Sequence, residues 1–149
     1  MEAYAELMRW WGSSSDSGPR PAGSEAAVRT LESRFGLRLP DDFRLFLLHA
    51  APTEDYWDDE DVIWWSPGRI RNIPQEYEHP INNAEIASEA DRYLFFADYM
   101  IWCWAWAICC GDGKNRGRIA FIGDDPDRFV ADSFTDFVTR YLGRPDSVW

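Results

Sequence analysis

The stretch 93–110, reading YLFFADYMIWCWAWAICC, constrains the fold of this chain more than any other. Four aromatics precede residue 100, and Trp102, Trp104 and Trp106 then alternate strictly, which is the period of a β-strand. The pattern predicts a strand pair. In its second half Trp102, Trp104, Trp106 and Ile108 share one face, and Ile101, Cys103, Ala105 and Ala107 the other. Neither face is polar, so this strand belongs inside a sheet and not at its edge. The small-residue face admits a closely packed helix, carrying either Val28, Leu31 and Phe35 or Phe134 and Phe137. The tryptophan face needs a thick covering layer or a partner. A helix is the competing reading, opposed by the β-branched and aromatic content and by the stop at Gly111-Asp112-Gly113. A membrane span is excluded, since residues 100–110 supply eleven uncharged positions against the roughly twenty a spanning helix needs.

At 149 residues the chain has the size of one domain and can bury a sizeable core. One domain over 1–149 is expected, with a flexible connection at 12–23, where GSSSDSGPRPAG offers no apolar anchor. The net charge of -11 argues against a nucleic-acid partner, because a phosphate backbone needs a basic footprint, and suits a basic protein. The first eleven residues have acids where an export signal would have bases and no unbroken apolar core. Cytoplasmic residence is expected. Three cysteines, two of them adjacent, make no disulfide framework, and His49 and His79 stand apart from them and from each other. No cofactor or metal is expected.

Along the chain, Tyr4, Leu7, Met8 and Trp11 mark a first helix. Ser24 caps a second, with Val28, Leu31 and Phe35 on its stripe and Gly36 at its end. Pro40, Asp41 and Asp42 open a third, which carries Phe43, Phe46 and Leu47 and stops by Pro52. The run 54–61, EDYWDDED, holds six acids and no base, and reads as a loop. A short strand over 62–65, a turn, a loop-like 74–83 and a weak helix over 84–90 lead to the strand pair. Turn residues at 111–117 join it to a strand over 118–122, and 129–131 form a last short strand. Ser133 caps a closing helix with Phe134, Phe137, Val138, Tyr141 and Leu142 on its stripe. The order predicts an α+β domain: a mostly antiparallel central sheet, helices mainly on one face, N-terminal helices and a C-terminal closing helix.

The segment LESRFGLRLPDDFRLFLLHAAP, with Glu32, Gly36, Leu39, Pro40, Phe43, Phe46 and Leu47, resembles the hallmark of the SUKH superfamily of fungal cell-wall-assembly regulators and bacterial immunity proteins. VADSFTDFVTRYL, with Ala131, Ser133, Phe134, Phe137 and Leu142, resembles that family's closing strand and helix. Ala50-Ala51-Pro52 departs from the Asn-Gly that members commonly carry after the third helix. The matching positions are mainly apolar and speak to fold more than to function.

The chemistry of catalysis is not visible in the sequence. Neither histidine lies in a nucleophile or zinc motif, no Gly-x-Ser-x-Gly elbow occurs, and Cys109 and Cys110 sit in an apolar run that would raise their pKa. A non-catalytic protein is expected. The resemblance implies an immunity protein that neutralises a bacterial toxin, often a nuclease, whose basic cleft an acidic surface would fill and attract from a distance. The alternative it implies is a regulatory interaction module with a native cellular partner. The candidate contact residues are Glu54, Asp55, Tyr56, Trp57, Asp58, Asp59, Glu60 and Asp61, the aromatics serving as anchors among the charges. A merely solvated loop is the competing reading for that run, and the face of Trp102, Trp104 and Trp106 is the competing surface.

Overall fold

The structure, a computed structural model, describes residues 2–13 and 18–149. Three helices come first: α1 (Ala3–Gly12), α2 (Glu25–Phe35) and α3 (Asp41–His49). Local chemistry sets their limits. The Ser24 hydroxyl accepts from the Ala27 amide at 3.1 Å, and Gly36 ends α2 in the left-handed region at φ 63°, where a Cβ would be penalised. The Glu32 carboxylate then accepts from the Leu39 amide at 3.0 Å, which fixes the turn between α2 and α3 and gives that glutamate a physical role.

The expected flexible connection is centred on 14–17, outside the described residues. Its far end is tied to the body: the Ala22 amide donates to the Ala51 carbonyl at 2.7 Å and the Thr53 amide to that of Arg20 at 2.8 Å. Gly23 lies so close to Leu48 that an added Cβ would stand 1.8 Å from the Leu48 carbonyl oxygen.

Six strands follow as an antiparallel meander, each paired with its neighbours in sequence: β1 (Tyr56–Trp57), β2 (Val62–Trp64), β3 (Tyr93–Tyr99), β4 (Trp104–Cys109), β5 (Ile119–Ile122) and β6 (Arg128–Ala131). The acidic run is therefore not all loop, because Tyr56 and Trp57 make an edge strand that its charge had concealed. Between β2 and β3 lie two short helices, α4 (Ile73–Glu76) and α5 (Ala84–Ala87), the first starting at Ile73 and running into the segment expected to be loop. The closing helix α6 (Phe134–Gly143) starts at Ser133, whose hydroxyl accepts from the Asp136 amide at 2.9 Å. This is the expected α+β arrangement, with β4 in mid-sheet between β3 and β5.

Two expectations for the central strand are corrected. First, β4 begins at Trp104, and Ile101, Trp102 and Cys103 belong to the turn that joins it to β3. Cys103 is accordingly exposed. Second, the helices press on the tryptophan face and not on the small-residue face. Phe137 of α6 meets Phe96 at 5.4 Å and Trp106 at 5.7 Å, Phe43 of α3 meets Phe96 at 5.7 Å, and Trp11 of α1 meets Trp64 at 5.3 Å. Large rings fill the space between helices and sheet. Ala105 and Ala107 lie on the opposite face, where Phe95 packs on Trp65 and on Trp102, and Trp102 stacks on Tyr77 at 5.7 Å.

The tryptophan face is closed over by the chain itself. The Trp106 indole donates to the Val148 carbonyl at 2.8 Å, and the Trp149 ring lies 5.7 Å from Trp104 and 6.2 Å from Trp106. Trp104 also stacks flat on Tyr99 at 4.6 Å.

Candidate functional site

The residues of the acidic run do not share one environment. Asp58 is 4% exposed and sits at the centre of a hydrogen-bond cluster. Its Oδ1 accepts from the amides of Glu60 at 2.9 Å and Val62 at 3.1 Å, and its Oδ2 from the Trp64 indole at 2.9 Å and the Tyr141 hydroxyl at 2.6 Å. Burial pushes the Asp58 carboxyl above the usual carboxylate range, against the opposing pull of the Tyr141 and Trp64 hydrogen bonds. Asp58 thus holds the β1–β2 turn in shape and binds it to α6. Its charge is not on the surface.

Asp55 is also engaged, accepting from the Ser66 amide and pairing with the Arg69 guanidinium, both at 2.9 Å. Arg69 in turn lies 3.9 Å over the Trp65 ring, an arrangement that clamps the hairpin to the sheet. Tyr56 is half-buried, with its ring 5.4 Å from Trp11. The exposed members are Glu54, Asp55, Trp57, Asp59, Glu60 and Asp61, of which Asp55 is held by Ser66 and Arg69. Trp57 is 47% exposed, and its indole donates to Asp61 Oδ1 at 3.1 Å, so the ring is positioned and not free to swing.

A second turn abuts the first. Met100 donates its amide to the Asp61 carbonyl at 3.1 Å, which joins the tip of the β1–β2 hairpin to the tip of β3–β4. Met100, Ile101 and Trp102 occupy the left-handed region at φ 45°, 58° and 65°. The turn is held by buried Asp98, whose Oδ2 accepts from the Trp102 amide at 2.7 Å and whose Oδ1 accepts from the Trp65 indole at 3.2 Å. Burial raises the Asp98 carboxyl too. Each hairpin tip is therefore built on one buried aspartate.

The strand pair expected over 93–110 requires a turn, but no glycine, proline or asparagine marks where the second tip falls. The available signal was length: 93–110 is longer than the 3–10 residues typical of a strand and had to fold back near its middle.

Elsewhere, Cys109 and Cys110 are buried. Burial raises the Cys109 thiol to about 11 and shifts Cys110 the same way. Among the described residues no three His, Cys, Asp or Glu side chains converge as a metal site, and no helix is long and apolar enough to cross a membrane.

The geometry defines an α+β domain whose sheet is covered by α1, α3 and α6 on one face and ends, at one side, in two coupled hairpin tips. The chain belongs to the SMI1 / KNR4 family (SUKH-1), whose family model matches residues 22–140. Domains of this family serve in immunity or regulation. No curated protein sequence matches the chain.

Proposed function

We propose that residues 1–149 act as one non-catalytic immunity domain that binds and neutralises a protein toxin, of the basic nuclease kind, through the β1–β2 hairpin. The observation that carries this reading is the exposure of Glu54, Asp59, Glu60 and Asp61 beside a positioned, half-exposed Trp57 on a chain of net charge -11. Clustered carboxylates around an aromatic anchor suit a basic cleft, and the overall field speeds encounter. The family's range of immunity and regulatory domains supports binding over chemistry. Asp58 takes no part in the contact, since its carboxylate faces Trp64 and Tyr141. The competing surface of Trp102, Trp104 and Trp106 loses support because Trp102 packs on Phe95 and Tyr77 across the sheet from the other two, Trp106 is buried, and Trp149 packs on Trp104 and Trp106.

The test uses the polypeptide encoded immediately upstream of this gene, purified and titrated against the wild-type protein and against the double variant Asp59→Lys/Asp61→Lys. Binding that weakens at least about tenfold in the variant and loses part of its salt dependence is expected. Equal affinity for both proteins removes the hairpin from the contact. No binding by the wild type, with a growth defect on deletion in the absence of competing cells, favours a regulatory module with a native partner.

A further inference from the structure

We infer that the left-handed tip at Met100 and Ile101 is an apolar anchor that inserts into a recess at the centre of a basic protein surface. The inference deepens the proposed function and rests on it. Ile101 is 72% exposed and Met100 45%, so the outermost point of the β3–β4 hairpin consists of two large aliphatic side chains. The backbone makes this placement costly. A β-branched residue at φ 58° is a steric outlier that glycine or asparagine would avoid. The Ile101 side chain repays none of that through the core, because it points away from it. The strain is maintained from below by Asp98, which takes the Trp102 amide, and by the Cys103 amide donating to the Tyr99 carbonyl at 2.9 Å.

Charge complementarity names the partner. Asp61 carries the Met100 amide on its carbonyl and the Trp57 indole on its carboxylate, so the apolar tip adjoins Asp61, in the same turn as Asp59 and Glu60. An exposed aliphatic anchor bordered by carboxylates is the complement of an apolar recess bordered by lysine and arginine. A second copy of this chain, itself strongly acidic, is a poor occupant. The two parts of the surface have separable jobs: the carboxylates govern association rate and salt response, and the anchor governs residence time.

The experiment measures association and dissociation rates with the same upstream polypeptide for wild type, Ile101→Asn, Met100→Gln and Ile101→Leu. Asparagine tolerates the left-handed region, so Ile101→Asn is expected to melt no lower than wild type while dissociating at least about tenfold faster, the change expected when one buried aliphatic side chain is lost. Its salt dependence should stay that of wild type, and Ile101→Leu should retain most of the affinity. If wild type binds and both Ile101→Asn and Met100→Gln dissociate at the wild-type rate, the anchor is refuted and the proposed function stands. If wild type does not bind, the proposed function itself fails and this inference with it. Concentration-dependent dimerisation of the protein alone, abolished by Ile101→Asn, overturns the inference by making a second copy the occupant.

Discussion

Replacing Asp58 with alanine should destabilise the protein by about 3 kcal/mol, although the residue lies in a run that reads as solvated charge. The substitution takes the acceptor from the Glu60 and Val62 amides and strands the Trp64 indole and the Tyr141 hydroxyl, which now donate to Oδ2 at 2.9 Å and 2.6 Å. Each buried donor left without a partner costs about 1–3 kcal/mol, or about 2–6 kcal/mol for the pair. Removing a carboxylate whose burial is itself unfavourable returns part of that. Urea unfolding followed by tryptophan fluorescence measures the loss. The deciding comparison repeats Asp58→Ala in a Tyr141→Phe background, where one stranded donor no longer exists. The cost there should fall by about 1–2 kcal/mol, the coupling expected of a direct hydrogen bond. Equal costs in the two backgrounds, or a loss below about 1 kcal/mol in the wild type, would refute the view that this carboxylate pins the hairpin to α6.

Three further outcomes rest on the buried groups and close contacts described above. Because the folded Asp58 carboxyl is raised above its value in the unfolded chain, the native state holds its proton longer. Its contribution to stability is therefore fully present below the unfolded value near 4 and declines as pH rises through the folded value. Stability of wild type relative to Asp58→Asn, measured by urea unfolding across this range, should fall with rising pH, and a difference that grows with pH reverses the sign. Native protein treated with iodoacetamide near pH 7.5 should take one label quickly, at exposed Cys103, and gain two more only on unfolding, because burial raises the Cys109 and Cys110 thiols; mass spectrometry counts them. Gly23→Ala drives a methyl into the Leu48 carbonyl and should cost about 1–3 kcal/mol, read as a drop in melting temperature. An unchanged melt would show that residues 20–23 are not held against α3.

How much of this was legible in the sequence depends on how local each signal is. The α2–α3 pair was readable because Ser24, Gly36 and Pro40 act within a few residues of themselves. The central position of β4 followed from its having no polar face. Which of its faces meets the helices did not, since both are apolar and the decision depends on ring sizes contributed by Phe96 and Phe137 from other elements. Asp58 looks no different in sequence from Asp59; what separates them is the Tyr141 hydroxyl, 83 positions away. The position of the second hairpin tip, within a strand pair that was expected, was hidden for the opposite reason. Its turn uses residues that avoid left-handed backbone, so composition pointed elsewhere, and the Asp98 contacts that enforce it are visible only in three dimensions.

The edge position of β1 has a consequence for colloidal behaviour. A strand at the margin of a sheet leaves backbone groups open to pairing with another molecule, and short length and flanking charge are the usual protection. Here that margin is two residues long and bordered by Glu54, Asp55, Asp59, Glu60 and Asp61. The carboxylates proposed to meet a partner therefore also keep the protein apart from itself. Reversing their charge preserves that separation, whereas making the hairpin tip apolar would offer the sheet to its own copies.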